Sequence, residues 1–98
     1  MADGPYAIEF GERFTDYLAK VPIEICRIFA KRLETKYKTY TNFEHKKWGV
    51  PLYSDRICVG KYRVCFMQVG QMRRMEFIGD HKAYDKFLAE WENEARSR

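Results

Sequence analysis

The sequence predicts a single domain, residues 1–98, of the α+β class with the element order β-α-α-β-β-β-α. Apolar residues recur at helical spacing in the first half of the chain, alternate with polar residues from residue 52, and return to helical spacing after residue 80. The chain has 98 residues, of which 46% are hydrophobic, so it is long and apolar enough to form a core. Helices followed by a run of strands favour helices packed on one face of an antiparallel meander.

The first part of the chain predicts a short strand and a helical hairpin. Residues 5–10 suit a strand, and a helix follows whose apolar positions are Phe10, Phe14, Tyr17, Leu18 and Val21. Pro22 ends that helix and suits the first turn of a second one. The apolar face of the second helix consists of Ile25, Ile28, Phe29, Leu33 and Tyr37.

The second part predicts a meander and a closing helix. After a polar loop at 40–51, residues 52–59, 62–69 and 72–78 read as strands. Gly60-Lys61 and Gly70-Gln71 lie between them and suit tight turns. Asp80 is a suitable cap for a last helix. The buried stripe of that helix is formed by Tyr84, Phe87, Leu88, Trp91 and Ala95.

Several classes of protein are excluded by composition. No apolar run approaches the roughly 20 residues that span a bilayer, and no charged-then-apolar leader opens the chain, so no membrane association and a cytoplasmic location are expected. The three cysteines, Cys26, Cys58 and Cys65, are odd in number and have no C-x-x-C spacing. We therefore expect buried, reduced thiols and neither a disulfide framework nor a zinc site.

The positive charge is concentrated in the middle of the chain. The net charge is +4, yet residues 41–74 contain seven basic and only two acidic residues, and the remainder is close to neutral. This distribution predicts one anion-facing surface on an otherwise balanced domain.

Turn geometry sorts these charges by face. A turn at Gly60-Lys61 would place Arg56 opposite Cys65, and a turn at Gly70-Gln71 would place Met67 opposite Arg74; a register shift of two would keep the same faces. The core face would then hold Ile57, Val59, Val64, Phe66, Met75 and Phe77. The other face would hold Ser54, Arg56, Arg63, Arg74 and Glu76, with Cys58, Cys65, Met67 and Ile78 between them.

Arginines on one sheet face suggest an anion cradle, because the guanidinium fork suits phosphate. The alternative is a solvated sheet face with charges of mixed sign. A second signal follows the last strand, where Gly79 permits a change of direction and His81 and Tyr84 can lie at the end of the sheet. Histidine is suited to proton transfer at neutral pH, and a helix N-terminus favours anions. The alternative is a surface histidine and a tyrosine that packs the helix.

Two motifs resemble a known family. The stretch L-Y-x-x-R-I-x-V-G-x-Y-R-V, from Leu52 to Val64, resembles the RelE/ParE toxin superfamily, and F-I-G-D-H-K-A-Y-D-K-F, from Phe77 to Phe87, is similar to the H-x-x-Y-D ending of HigB-type members. The resemblance implies a RelE-like fold and the toxin of a type II toxin–antitoxin pair, with a cognate antitoxin as partner. It also implies cleavage of mRNA on the ribosome by attack of the RNA 2′-hydroxyl on the neighbouring phosphate, without metal or cofactor.

The resemblance also suggests roles for individual residues. Arg63 matches an arginine expected to stabilise the phosphorane charge, and His81 and Tyr84 match residues implicated in proton transfer. Arg56 and Arg74 would add positive charge, and Glu76 is an alternative general base. The residues expected to contact mRNA or ribosomal RNA are Lys46, Lys47, Trp48, Tyr53, Lys61 and Arg73. Trp48 and Tyr53 could equally pack the loop onto the sheet.

Two other functions remain open on the same fold. A ParE-like protein would poison gyrase by binding and would cut no RNA, and His81 and Tyr84 favour the ribonuclease over it. The third possibility is a non-catalytic module that binds RNA or protein.

Overall fold

A computed structural model describes residues 5–41, 43–45 and 52–96, which form a five-stranded sheet and four helices. The elements in chain order are β1 (Ala7–Phe10), α1 (Phe14–Leu18), α2 (Ile23–Glu34), α3 (Lys36–Thr39), β2 (Glu44–His45), β3 (Leu52–Ile57), β4 (Tyr62–Val69), β5 (Met72–Asp80) and α4 (His81–Arg96). The predicted α+β class and element order are confirmed. The two-residue strand β2, within the predicted polar loop, and the single-turn helix α3 were not predicted.

The sheet is a meander extended at both edges. Its strand order is β1-β5-β4-β3-β2, and β3, β4 and β5 are joined by antiparallel pairing as predicted. The short strand β2 pairs antiparallel with β3. At the other edge β1 pairs with β5 in parallel, so the sheet as a whole is mixed. β1 lies at one edge of the sheet, and the next strand in the chain, β2, lies at the other edge. The helices α1, α2 and α3 form the connection between these two edges.

Helices cover both faces of the sheet. α1, α2 and α3 pack on one face through a cluster that includes Phe14, Phe29 and Tyr37. α4 packs on the opposite face through Tyr84 and Phe87. The prediction of helices on one face therefore holds for the hairpin but not for α4. We call the two sides the hairpin face and the α4 face.

A β-bulge in β5 decides which residues reach each face. Phe66 pairs with Met75, but Cys65 pairs with Phe77, so Glu76 is an extra residue in the ladder. Because side chains alternate, the insertion moves Phe77 to the α4 face and Ile78 to the hairpin face. From the sequence, Phe77 is predicted on the core face and Ile78 on the opposite face. Both predictions are wrong, because they assume a register without a bulge.

The β3–β4 turn also differs in register from the prediction. Arg56 pairs with Arg63 and Ile57 with Tyr62, a shift of two that keeps the predicted faces. The strand ends at Ile57, and the turn begins at Cys58. Val59 is consequently fully exposed and not part of the core. Cys58 is exposed as well, and only Cys65 is a fully buried thiol.

A buried carboxylate ties the helical hairpin to the sheet. Asp55 on β3 accepts hydrogen bonds from Arg32 Nη1 at 2.7 Å, Lys36 Nζ at 2.8 Å and the Tyr37 hydroxyl at 2.8 Å. Burial alone would raise the pKa of Asp55, but these hydrogen bonds and the charge of Lys36 outweigh it and hold the pKa below its ordinary value. The carboxylate is therefore ionised and paired in the folded protein.

A buried arginine on β5 also ties the helical hairpin to the sheet. Arg73 is 1% exposed, and its guanidinium donates to Gln68 Oε1 and to the Tyr37 carbonyl oxygen, each at 2.9 Å. It also lies 3.7 Å from the centre of the Tyr6 ring. Hydrogen bonding and ring contact satisfy the guanidinium inside the core.

Gly79 provides space for packing. Its φ is not in the left-handed region, so the predicted conformational role is wrong. A Cβ there would lie 2.7 Å from Phe77 Cζ and 3.1 Å from Ala83 Cβ. Only glycine lets α4 begin this close to the end of β5.

Replacing Asp55 with Asn is expected to destabilise the fold by about 2 kcal/mol, because the half-buried cations Arg32 and Lys36 lose their counter-charge. The measurement is urea unfolding followed by circular dichroism at pH 7. Asp85→Asn, an exposed position on α4, is the matched control and should change stability by less than about 0.5 kcal/mol. Equal effects of the two substitutions would contradict the role assigned to Asp55.

The same carboxylate predicts a pH dependence. The folded pKa of Asp55 lies below the unfolded value of about 3.9, so its contribution to stability is complete above that value and is lost as the pH falls through the folded pKa. Unfolding experiments from pH 6 to pH 2 should show a smaller acid-induced loss for Asp55→Asn than for the parent chain. Parallel curves would show that Asp55 does not contribute.

Gly79→Ala is expected to cost about 1–3 kcal/mol, because the added methyl group must displace the Phe77 ring or the start of α4. Thermal unfolding measures the loss. No loss of stability in Gly79→Ala would show that this junction is not tightly packed.

Candidate anion-binding site

Four of the side chains chosen from the sequence lie where β3 and β5 end and where β4 and α4 begin. They lie on the α4 face or at its edge, and we call them the strand-end cluster: Arg56, Arg63, His81 and Tyr84. The sheet register brings them together, because Arg56 pairs with Arg63, Arg63 pairs with Gly79, and α4 starts two residues later.

The two arginines of the cluster are direct cross-strand neighbours. Residues opposite one another in an antiparallel pair have Cα atoms about 5 Å apart. Like charges at two such cross-strand positions destabilise the pair. Arg56 is exposed, and among the described residues it has no ion-pair partner. A bound anion would relieve the repulsion, and two planar forks would hold its oxygens.

Arg63 is held in place yet not fully satisfied. The residue is 11% exposed, and its guanidinium carbon lies 5.0 Å from the centre of the Tyr84 ring. Glu44 on β2 is its ion-pair partner at a long 3.9 Å. The buried Nε of Arg63 has no hydrogen-bond partner within the described part of the chain. An unsatisfied buried donor is costly, and a ligand oxygen would remove that cost.

His81 is exposed, as Arg56 is, and is the first residue of α4. Its ring meets the Tyr84 ring edge-on, with the ring centres 6.2 Å apart. The Asp80 side chain accepts a hydrogen bond from the Ala83 amide at 3.0 Å, which confirms the predicted cap. The imidazole is accessible to a ligand bound at the arginines.

Tyr84 is buried, with 4% of its surface exposed, and belongs to the core cluster on the α4 face. Its ring lies between Arg63 and Phe77, and its contact with the guanidinium is a cation–π interaction. This position favours a role in holding Arg63 over direct contact with a substrate.

Ser54 is a candidate site residue that the sequence prediction did not select. It is 2% exposed, and its Oγ has no hydrogen-bond partner in the described ranges. Alternation along β3 places it on the same face as Arg56. That alternation was the available signal, but a lone serine carries no charge to mark it as functional.

Arg74 and Glu76 do not belong to the cluster. Arg74 pairs with Met67, four positions along β4 from Arg63, which is about 13 Å at the rise of a strand. Arg74 Nε donates to Glu76 Oε2 at 2.7 Å, and this hydrogen bond and the Glu76 charge raise the pKa of Arg74. The prediction of one cradle with three arginines is therefore wrong, and the Glu76 carboxylate is bound to Arg74 and not to the cluster.

Arg74 and Glu76 instead border a separate cavity of about 430 Å³ between α1, β5 and α4. Its lining combines charged residues with the edges of three aromatic rings: Glu12, Arg13, Tyr17, Arg74, Glu76, Phe87, Glu90, Trp91 and Glu94.

Of the residues predicted to contact RNA, some are packed in the core, one is exposed, and the others lie outside the described residues. Arg73 is wrong as a docking residue, because its guanidinium is bonded inside the core. Tyr53 lies on the hairpin face and stacks on Phe66 with ring centres 5.8 Å apart, so the packing alternative is correct for it. Lys61 is exposed in the β3–β4 turn. Lys46, Lys47 and Trp48 lie outside the described residues.

The described ranges contain neither a metal-binding cluster nor a membrane-spanning helix. No group of three or more histidine, cysteine, aspartate or glutamate side chains converges there in a way that could hold a metal ion. None of the described helices has the length and apolar character required to cross a bilayer.

The geometry supports a specific kind of chemistry. Two adjacent guanidinium groups can bind the oxygens of a phosphate and stabilise charge that develops on it. An exposed imidazole at the edge of the same cluster can accept or donate a proton. Such a site can bind a phosphodiester and assist its cleavage.

Comparison with solved structures identifies the fold, while no protein-family model and no curated protein matches the sequence. The toxin–antitoxin complex RelBE2 from Mycobacterium tuberculosis aligns with a TM-score of 0.68 at 14% identity, covering 80% of this chain and 93% of that one. A mutant of the Escherichia coli toxin RelE bound to an antitoxin RelB peptide aligns with a TM-score of 0.64 at 16% identity, covering 86% and 92%. The RelB–RelE complex from Methanococcus jannaschii gives 0.58 at 15% identity, covering 81% and 96%. The chain therefore has the fold of the RelE toxins.

Proposed function

We propose that the chain is the toxin of a type II toxin–antitoxin pair and that it is an endoribonuclease cleaving mRNA on the ribosome. The RelE fold supports the first part, because the comparison structures are RelE toxins, most of them in complex with antitoxins. The strand-end cluster supports the second part. The observation that carries the proposal is the pairing of Arg56 with Arg63 beside the exposed His81.

The proposed reaction uses the RNA, the side chains of the cluster and water. The 2′-hydroxyl oxygen attacks the adjacent phosphorus, and the bond from phosphorus to the 5′-oxygen breaks, giving a 2′,3′-cyclic phosphate and a 5′-hydroxyl. Arg63 and Arg56 stabilise the additional negative charge on the phosphorane. His81 either accepts the proton of the 2′-hydroxyl or donates a proton to the leaving 5′-oxygen, and water at this exposed site makes the other transfer, so that the proton lost by the 2′-hydroxyl is balanced by the one gained by the 5′-oxygen.

Tyr84 acts through Arg63 in this proposal. Its buried ring holds the guanidinium at 5.0 Å, so it positions the charge at the end of the strands. The role in proton transfer suggested by the resemblance would require the buried hydroxyl to reach the substrate. The exposed His81 is better placed for that step.

The open form of the cluster favours a substrate that is presented by a larger partner. Arg56 and His81 are exposed, and they lie at the edge of the sheet. Positioning can contribute about 7–11 kcal/mol to a reaction, and a surface site of two arginines and one histidine does not enclose its substrate. The ribosome would hold the mRNA in place. The antitoxin would be the second partner and would prevent this encounter.

Arg63→Ala and His81→Ala are expected to reduce cleavage of ribosome-bound mRNA by about 10²–10³-fold and 10²–10⁴-fold respectively, through loss of transition-state charge stabilisation and of proton transfer. The measurement is ribosome profiling after induction, together with single-turnover cleavage on programmed ribosomes. Arg27→Ala, an exposed position on α2, is the matched control and should cleave like the parent.

Urea unfolding of each variant separates lost chemistry from lost folding. Retention of full toxicity by both cluster variants would show that this site is wrongly assigned. Gyrase-dependent DNA breaks without mRNA cleavage would support a ParE-like activity, and RNA or protein binding without either effect would support a non-catalytic module.

A further inference from the structure

The turn between β3 and β4 combines an unfavourable backbone with an exposed apolar side chain. The turn residues Cys58, Val59 and Gly60 have φ values of 57°, 55° and 85°, and the Lys61 amide donates to the Cys58 carbonyl oxygen at 3.1 Å. Positive φ at both central residues, Val59 and Gly60, matches the type I′ hairpin turn. We call residues 58–61 the hairpin tip.

Valine is a poor residue for this position. A β-branched side chain at positive φ is strained by roughly 1–2 kcal/mol, and asparagine is the usual residue before glycine in such a turn. Val59 also has a relative exposure of 103%, so its methyl groups make no contact that offsets the strain. Neither the turn nor the core requires valine here. Strained residues that the fold does not explain are concentrated at functional sites.

The hairpin tip projects from the same end of the sheet as the strand-end cluster. Ile57 pairs with Tyr62 at the base of the tip, and Tyr62 pairs with Asp80, the residue before His81. A Cβ on Gly60 would lie 3.9 Å from Arg56 Cδ, so the tip and the outer arginine are neighbours. A substrate bound at Arg56 and Arg63 would continue past the tip.

The charge around the tip favours a polyanion. Residues 56–63 include Arg56, Lys61 and Arg63 and no acidic residue. Lys61 is exposed and can bind a phosphate by charge alone. An exposed apolar side chain among such cations can pack against a nucleobase or ribose, as apolar wedges do in other nucleic-acid complexes.

We infer that the hairpin tip is a contact for the nucleotide next to the scissile phosphate, with Val59 packing against its base or ribose and Lys61 binding its phosphate. The inference rests on the proposed function and deepens it by assigning part of the sequence preference to Val59. In the complex, the contact made by Val59 offsets the strain of its backbone. Its role is substrate positioning and selection.

The test replaces Val59 with Asn, which suits the turn and removes the apolar contact. The variant should be at least as stable as the parent in urea unfolding, yet its kcat/KM on programmed ribosomes should fall about tenfold, and its positional preference in ribosome profiling should flatten. Val59→Gly should show the same loss, because glycine accepts the turn without strain. Val59→Leu should retain most of the activity, because it keeps the apolar contact.

Val69→Asn is the matched control. Val69 is also exposed, at 62%, and directly precedes the other tight turn, at the opposite end of β4. It should change neither cleavage nor preference. If Val59→Asn cleaves with the rate and preference of the parent, or if Val69→Asn loses as much activity, the inference is overturned. A parent chain that does not cleave mRNA would overturn the proposed function itself, and the assignment of the tip would fall with it.

Discussion

The rest of the structure depends on the bulge that Glu76 introduces into β5. One extra residue reverses the faces of everything that follows it, so Phe77 points toward α4 and Ile78 toward the helical hairpin. Phe77 then stacks on Phe87 with ring centres 4.8 Å apart, which gives α4 its anchor on the sheet. Without the bulge, Phe87 would lose its stacking partner on the sheet and keep the edge-on contact with Tyr17 of α1.

The bulge also determines which charges can act together. It lies between Arg74 and the end of β5, and α4 packs on the sheet beyond it. Arg74 is left on one side, neutralised by Glu76, and Arg63 on the other, where α4 begins. The basic residues of this sheet face are thereby divided between the Arg74–Glu76 ion pair and the open site at Arg56 and Arg63.

Buried charges connect the layers of the fold. Asp55 binds three donors from α2 and α3, and Arg73 reaches the carbonyl of Tyr37 from the other side of the same helical segment. Each is satisfied by partners distant in sequence, so each fixes the position of the hairpin on the sheet. These residues account for part of the charge in the middle of the chain, and that part is structural. Arg73, one of the seven basic residues between residues 41 and 74, therefore serves the fold and not an anion-facing surface.

The sequence by itself determined the elements, their order and the nature of the strand-end cluster. The spacing of apolar residues, the turn residues and the helix caps are local properties of the sequence. The two-residue shift in the β3–β4 register kept Arg56 and Arg63 on one face, because side chains alternate with a period of two. The tertiary structure alone decided the bulge, the side on which α4 packs, the burial of Arg73 and the separation of Arg74 from the cluster. These depend on contacts between residues far apart in the chain, and a pattern read along one strand does not contain them.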